Sequence, residues 1–528
     1  MAEDTAAGFN TMAKTFGTLF LLVGALVLFS TISRMIADQQ KQVGTIKALG
    51  FRYHEILGKY LMFAILSVSV GIAVGVLLAY TVVQKIFIDM NVNLVVTERF
   101  DPSFVLSLTV TALIAGILLS VFTVFMSCRK LLKQPARSLL AGSAMTSGYK
   151  SSGKRFQRLP LYFRLILRNM RKDWQRVLIT VSSIAGCCVL MIVGLTFSFT
   201  LKNTLGEQYN SIIRYDAELY FDPQSDTSAE NQIRSILEDN DIDCITLMNT
   251  GCIADINNKF EQCSMICGQP DDIGRYMELI TPEGNDVKIP DEGVLITHTL
   301  AKSTGLSVGD DIILYDTQMK PYNVKISGIF TYYIGQSMII SEKAYADIFK
   351  AEPEHDQFWI SCGSSDIPDE LYSVSGFLRA RQMEDVRKMQ DDYIAASDKM
   401  AWMLIILAGV MAFLIILDLV NMYVMKKKRE LVIMRINGFS MKNTVLYAAL
   451  ECVATTLAGI IAGVFAGILF ADLVVSSRET PNFSFIHGAN MYACMISASI
   501  TAFYSFIIHF SAFRKIRKYK ITSLDTNE

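Results

Sequence analysis

The chain of 528 residues carries 49 Lys and Arg against 50 Asp and Glu, a net charge of −1, with 52% hydrophobic and 19% charged residues. A mean hydropathy of +0.35 and a charged share below the usual roughly one quarter exclude an ordinary soluble protein of this length. The balanced charge gives no footprint for nucleic acid, and what remains is a polytopic α-helical membrane protein with soluble parts.

Apolar runs long enough for a helix to cross the hydrocarbon core, about 18 to 25 residues, lie at 16–36, 57–80, 104–126, 178–200, 400–425, 445–470 and 491–510, which predicts about seven crossings. Lys and Arg concentrate in 34–59, 129–176, 425–442 and 511–528, and the positive-inside rule makes these cytoplasmic. In 201–399 acids outnumber bases about two to one, and this long segment is expected on the other side of the cell membrane. Seven spans then put the N-terminus outside and the C-terminus in the cytoplasm.

The stretch 41–75 returns in the second half. A shift of about 388 positions lays Lys41 on Arg429, Val43 on Leu431, Lys47 on Arg435, Gly50 on Gly438 and Phe51 on Phe439. The same shift lays Gly71 on Gly459 and Gly75 on Gly463. The sequence therefore reads as two modules of three spans, 1–140 and 399–528, separated by a cytoplasmic linker with an amphipathic helix (141–177), a fourth span (178–200) and an extracytoplasmic domain (201–398). The halves are unequal: either the duplication was asymmetric, or a longer version carries a further span and external domain before the first module.

Within the first copy, Val43, Ile46, Leu49 and Tyr53 recur at helical spacing while Lys41, Thr45, Lys47 and Arg52 fall largely elsewhere, which predicts a short helix along the membrane surface, ended or bent by Gly50. One such copy reads equally as a basic loop that fixes topology. Two copies with the same Gly-Phe ending favour a docking surface. In the following spans Gly71 and Gly75, and Gly459, Gly463 and Gly467, recur every four residues, the spacing that lets helices approach closely in lipid. Between the modules, Phe163, Ile166, Leu167, Met170 and Trp174 fall on one helical face opposite Arg164, Arg168 and Arg171, an interfacial helix.

The segment 201–399 is large enough for its own core, with room for two lobes. Alternation predicts a strand at 217–222, a helix follows at 228–238, and GCIADINNKFEQCSMIC predicts a hairpin turning at Asn257 and Asn258. In 293–314 the pattern reads strand, helix capped by Gly305, turn at Gly309 and Asp310, strand; NVKISGIF and QSMIIS add further β content, so the domain is mixed α+β. Val386, Met389, Tyr393 and Met400 sit at helical spacing and predict a stalk continuous with the fifth span. The hairpin register sets Cys252 opposite Cys263, where a disulfide would be sterically feasible, although five cysteines in the domain leave at least one thiol over.

Catalytic motifs are missing: the sequence has no phosphate-cradling G-x-x-x-x-G-K-[ST] loop, no dinucleotide fingerprint and no G-x-S-x-G elbow. Its five histidines are scattered without metal-ligand spacing. No enzyme activity, cofactor or metal is expected. Two intramembrane acids stand out, Asp418 and Glu451. Both lie within about two turns of the cytoplasmic surface, where pairing or snorkelling competes with a functional role.

The unit K-R-E-L-V-I-M-R-I-N-G-F at 428–439, followed by Glu451 and Gly459-x-x-x-Gly463, resembles the cytoplasmic signature of the FtsX/MacB-type permeases of ABC transporters. The copy at 41–75 is similar but has Gln42 in place of Glu430 and Phe63 in place of Glu451. G-V-L-I-x-x-x-L-A-x-x-x-G-L-x-V-G-D at 293–310 resembles the external domain of that family. The resemblance implies a permease whose coupling residues, Lys41, Lys47, Gly50, Phe51, Arg429, Glu430, Arg435, Gly438 and Phe439, dock on a separate dimeric cytoplasmic ATPase that alone binds ATP. It further implies ATP-driven motion passed to the external domain for export or handling of an amphiphile, lipid, lipoprotein or peptide. The alternative is a regulatory role, in which the same motion activates a cell-wall hydrolase or reports an antimicrobial peptide. Membrane lipids and an extracytoplasmic substrate or effector protein are the other expected partners.

Overall fold

The computed structural model describes parts of residues 14–36 and then 39–85, 106–132, 135–141, 170–171, 174–223, 228–256, 259–316, 319–363 and 367–517. The chain divides into two compact units, one comprising Met1–Phe197, Asp398–Val474 and Ala489–Glu528, the other Ser198–Ser397 and Val475–Gly488.

The first unit is helical. Among the described residues five helical stretches are long and apolar enough to cross a membrane: Tyr53–Val83, Thr109–Arg129, Thr180–Ile212, Met441–Ser476 and Met491–Ser511. Two shorter apolar helices, Phe20–Ser33 (α1) and Ala401–Leu417, fall on the first and fifth predicted spans. The second of these belongs to one unbroken helix. In chain order the unit continues with α2 (Gln40–Ala48), α3 (Tyr53–Leu78), α4 (Leu106–Leu132), α5 (Ala136–Ala141) and α6 (Trp174–Gly206). It resumes with α11 (Met383–Ile436), α12 (Met441–Ser476) and α13 (Met491–Arg517). The 54 residues of α11 extend for about 80 Å at the α-helical rise. Most of the interfacial helix expected before α6 lies outside the described residues.

In the first module Ile32, Ile36, Val43, Ile56, Tyr60, Val124, Cys128 and Leu139 form one buried cluster, so α2 is pinned between the membrane helices and the short α5. In the second, Ile416, Val420, Leu431, Tyr447, Cys452 and Ile508 do the same, joined by Ile184 of α6.

Among the described residues the second unit is built on nine strands: β1 (Ala217–Phe221), β2 (Asp243–Ile256), β3 (Lys259–Gly268), β4 (Val294–Thr297), β5 (Asp311–Tyr315), β6 (Pro321–Phe330), β7 (Ser337–Ser341), β8 (Gln357–Ser361) and β9 (Phe377–Gln382). Their order is β3-β7-β4-β6-β5-β2-β8-β1-β9, and a further β2–β3 pairing closes the first six into a ring. The 14-residue β2 belongs to both halves. Residues 243–247 pair with β8 and residues 253–255 with β5. Closure removes sheet edges that would otherwise be left unpaired.

Inside the ring lie Met248, Cys252, Ala254, Cys263, Cys267, Ile296, Leu314, Ile326 and Ile340. The helix α7 (Ser228–Asp239) covers the β8-β1-β9 half through Ile233 and Leu237 against Leu219, Phe358 and Ile360. Between the cores Trp359 stacks on Tyr215 with ring centroids 4.5 Å apart. Short helices α8 (Pro270–Tyr276), α9 (His298–Thr304) and α10 (Glu342–Phe349) follow strands. For α9 and α10 the preceding strand ends on a hydroxyl residue, Thr297 or Ser341, which accepts the Leu300 or Ala344 N–H as an N-cap. Gly305 and Gly309 take φ of +76° and +100° at the helix end and turn where the sequence places them.

Candidate functional site

The repeated segments form two helical corners with the same backbone. In the first, α2 ends with the Gly50 N–H donating to Lys47 O at 3.2 Å and the Phe51 N–H to Ile46 O at 3.4 Å. In the second, α11 ends with Gly438 N–H to Arg435 O and Phe439 N–H to Met434 O, both 3.1 Å. This pair of bonds is a Schellman closure, which needs a left-handed residue after the helix. Gly50 and Gly438 supply it, at φ +95° and +89°. After each corner the chain turns directly into the next helix. In the first copy the Arg52 N–H is held by the Glu55 carboxylate at 2.7 Å, and in the second the Asn443 N–H donates to Ser440 Oγ at 3.3 Å.

The corners present apolar and basic side chains together. Leu49 is 73% exposed, Phe51 52% and Ile436 60%, with Tyr53 also exposed. Lys41 is exposed, while Lys47, Arg435 and Phe439 are half-buried. A cleft of about 270 Å³ between α2 and α3 is lined by Val43, Ile46, Phe51, Ile56 and Lys59. Arg429 and Glu430 lie on α11, and so does Asp418; their side chains fall outside the described residues. Glu451 is 7% exposed, in the third turn of α12. Leu49 and Tyr53 entered the sequence reading only as part of the apolar spacing of a surface helix. Their exposure marks them as part of the corner.

The two glycine stripes have different surroundings. On α12 a Cβ added at Gly459 would sit 2.8 Å from Ile184, at Gly463 2.7 Å from Cys188, and at Gly467 2.6 Å from Ile192, so α6 rides directly on the stripe. On α3 both Gly71 and Gly75 are exposed, with nothing within 4 Å among the described residues. Among the described residues the close approach on α3 is made one face away, where Gly116 of α4 meets Ile72 and Val68.

In the sheet unit the loop Val475–Gly488, which joins α12 to α13, is built into the domain. Its Phe483 bridges Ile334, Gly335 N–H donates to Asn482 O at 2.8 Å and Ser484 N–H to Tyr333 O at 2.9 Å. Gln336 Nε2 reaches Pro481 O at 3.0 Å. Around it Glu479 accepts from Lys302 Nζ at 2.6 Å and pairs with His487 at 2.9 Å. Burial raises the Glu479 carboxyl, but the bonds from Lys302, the Phe485 N–H and His487 outweigh it and hold the pKa below its ordinary value. This strap was missed from the sequence. A second missed feature is a polar seam between α12 and α13, where Ser505 bonds Thr456 at 3.1 Å and His509 at 3.0 Å, all buried.

Cys252 faces Cys263 across the β2–β3 pairing, both as free buried thiols. Burial pushes the Cys252 thiol up to about 11 and Cys263 up to about 12. No group of three or more His, Cys, Asp or Glu that could hold a metal occurs among the described residues.

No curated protein matches the chain in sequence. Solved structures similar to it include the periplasmic region of MacB from Actinobacillus actinomycetemcomitans, at 8% identity over 34% of this chain and 94% of that one, TM-score 0.23. The extracellular domain of the ABC-type transporter YknZ from Gram-positive bacteria is similar at 12% identity over 34% of this chain and 95% of that one, TM-score 0.21. The family description FtsX-like permease C-terminal matches residues 14–136 and again 402–521, the two modules that carry the two corners. Both modules match the FtsX-like permeases, membrane components of ABC transporters.

Proposed function

We propose that the chain is the permease subunit of a mechanotransmission ABC transporter, converting ATP hydrolysis by a separate cytoplasmic ATPase dimer into work by its extracytoplasmic sheet domain on an amphiphile, lipid, lipoprotein or peptide. The observation that carries this reading is the pair of matching corners, in which one Schellman closure is kept in both modules and holds exposed apolar residues beside Lys41, Lys47 and Arg435. A basic rim around an apolar prong suits an acidic protein groove, with the charges steering encounter and the apolar tips filling pockets. The orientation follows from the charge map: both corners cytoplasmic, the acidic sheet domain outside, and the C-terminus inside. The single helix α11 supports transmission, since it runs from the last strand of the sheet domain through the fifth span to the second corner without a break.

The test is retention of a cytoplasmic ATPase by the intact protein purified from its own membranes, followed by Arg435→Glu. A reversal at a steering position should weaken association about tenfold, equivalent to about 1.4 kcal/mol. An intact protein that retains no ATPase overturns the proposal, as does unchanged affinity in the variant. ATP-dependent movement of a labelled amphiphile in proteoliposomes then separates export from purely regulatory motion.

A further inference from the structure

Among the described residues the ring core holds one pair of facing thiols. Cys252 of β2 lies directly opposite Cys263 of β3 in the antiparallel register, and both are buried in one cluster with Ala254, Met265 and Leu314. Facing residues of an antiparallel pair stand about 4.5–5.5 Å apart at Cα, inside the roughly 4.4–6.8 Å that a disulfide spans. The other strand cysteines lack such a partner: Cys244 lies opposite Ile360, and Cys267 opposite Met248 and Ile340.

The Cys263 thiol is also tied to the strap. Its S–H donates to Gln336 Oε1 at 3.8 Å, and the same amide, through Nε2, donates to Pro481 O of the strap at 3.0 Å. Gln336 is buried, so its oxygen depends on protein donors. A disulfide at Cys263 removes this one, because the sulfur loses its proton.

We infer that Cys252 and Cys263 are a disulfide-forming site, oxidised by an external disulfide, and that closing the bond loosens the hold of Gln336 on the strap. The Cys252 thiolate attacks one sulfur of the external R–S–S–R, forming a mixed disulfide and releasing one RS⁻. The Cys263 thiolate then attacks the Cys252 sulfur, closes the ring bond and releases the second RS⁻. The two protons lost by the cysteines end on the two released thiolates, so the pair is oxidised and the external disulfide is reduced to two thiols. Burial raises both thiols, Cys252 to about 11 and Cys263 to about 12, so Cys252 supplies more thiolate and exchange waits on opening of the β2–β3 hairpin. The supply of oxidant rests on the extracytoplasmic placement of the sheet domain proposed above.

The test uses the full-length protein purified from its own membranes, incubated with oxidised glutathione, blocked with N-ethylmaleimide and digested with trypsin. Cleavage after Lys259 leaves the two cysteines on separate peptides unless a disulfide joins them. A joined pair is expected, and two alkylated peptides overturn the inference. Amide exchange in 475–488 should run about threefold faster in the oxidised protein than in the reduced one, with 217–221 and 357–361 unchanged. Cys263→Ala should show the fast exchange without oxidant, whereas Cys263→Ser, which keeps a donor, and Cys252→Ala should stay slow with it. Strap exchange that ignores the bond overturns the coupling. Failure of the placement reads out separately. Glu283→Cys, at an exposed turn of the domain, would then resist a membrane-impermeant maleimide on intact cells, while oxidised glutathione would still join the pair in the purified protein.

Discussion

Replacing Gly463 by alanine adds one methyl group where the α12–α6 seam has no room. The new Cβ would lie 2.7 Å from the Cys188 Cβ and 3.1 Å from both the Ala185 Cα and its carbonyl oxygen. Carbon atoms pack comfortably at about 3.5–4.0 Å, and two of these three neighbours are backbone, so the helices must part by roughly 1 Å. A gap of that size forfeits about a quarter to a half of each dispersion contact along the seam, and overpacking of this kind costs about 1–3 kcal/mol. Gly75→Ala, at the aligned position of α3, meets nothing and should stabilise by about 0.5–1 kcal/mol as an interior helix glycine is removed. The two variants should differ by about 1.5–4 kcal/mol in denaturant unfolding of the purified protein in mixed micelles. Equal midpoints for the two would refute the assignment of one stripe as packed and the other as open. Gly467→Ala should be milder than Gly463→Ala, because its nearest neighbour is the mobile Cδ1 end of Ile192.

The strap should respond to acid. Because the folded Glu479 carboxyl lies below its ordinary value, the ion pairs stabilise fully above the unfolded carboxylate pKa of about 4.3 and are lost as pH falls through the folded value. Amide exchange in 475–488 should accelerate over that window, and Glu479→Gln should exchange faster at neutral pH with no acid step; a variant with the parental profile would discount the cluster. Gly293→Ala should unfold the sheet domain, because at φ +78° the added Cβ would collide with the Lys325 carbonyl and the Ser327 hydroxyl; a soluble-domain melt within 1 °C of the parent, on the order of a few tenths of a kcal/mol, would contradict that.

Much of the sheet domain was legible because its signals are local. The strand at Ala217–Phe221, the helix at Ser228–Asp239 and the Gly305 and Gly309 turns depend on alternation, periodicity and left-handed glycines. The register of Cys252 on Cys263 is the one expected from the hairpin read at Asn257 and Asn258 in the sequence, two residues that lie outside the described ones. Strand β8 carried no such signal: QFWIS is buried at four successive residues and so shows no alternation. The strap was illegible for another reason. Its partner Lys302 lies 177 residues from Glu479 in sequence, and its backbone bonds use whichever residues happen to be there. The glycine stripes show the limit most directly, since spacing records that a helix can be approached closely and not whether a neighbour is present.

The corners also differ in what they are joined to. Every segment that enters the sheet unit from the membrane helices comes from α6, α11 or the α12–α13 strap, and none comes from 1–140. The second corner ends α11 itself and begins α12, whereas the first lies between α2 and α3. The same substitution at Gly50 and Gly438 removes the same closure, at φ +95° and +89°, and each left-handed alanine costs about 1–2 kcal/mol. Local damage is therefore matched while the downstream connection is not. Gly438→Ala should suppress ATP-dependent changes in sheet-domain amide exchange more strongly than Gly50→Ala, at similar losses of ATPase affinity. Equal suppression by both would mean that motion reaches the sheet domain through the packed membrane helices together, with no privileged route along α11 and the strap.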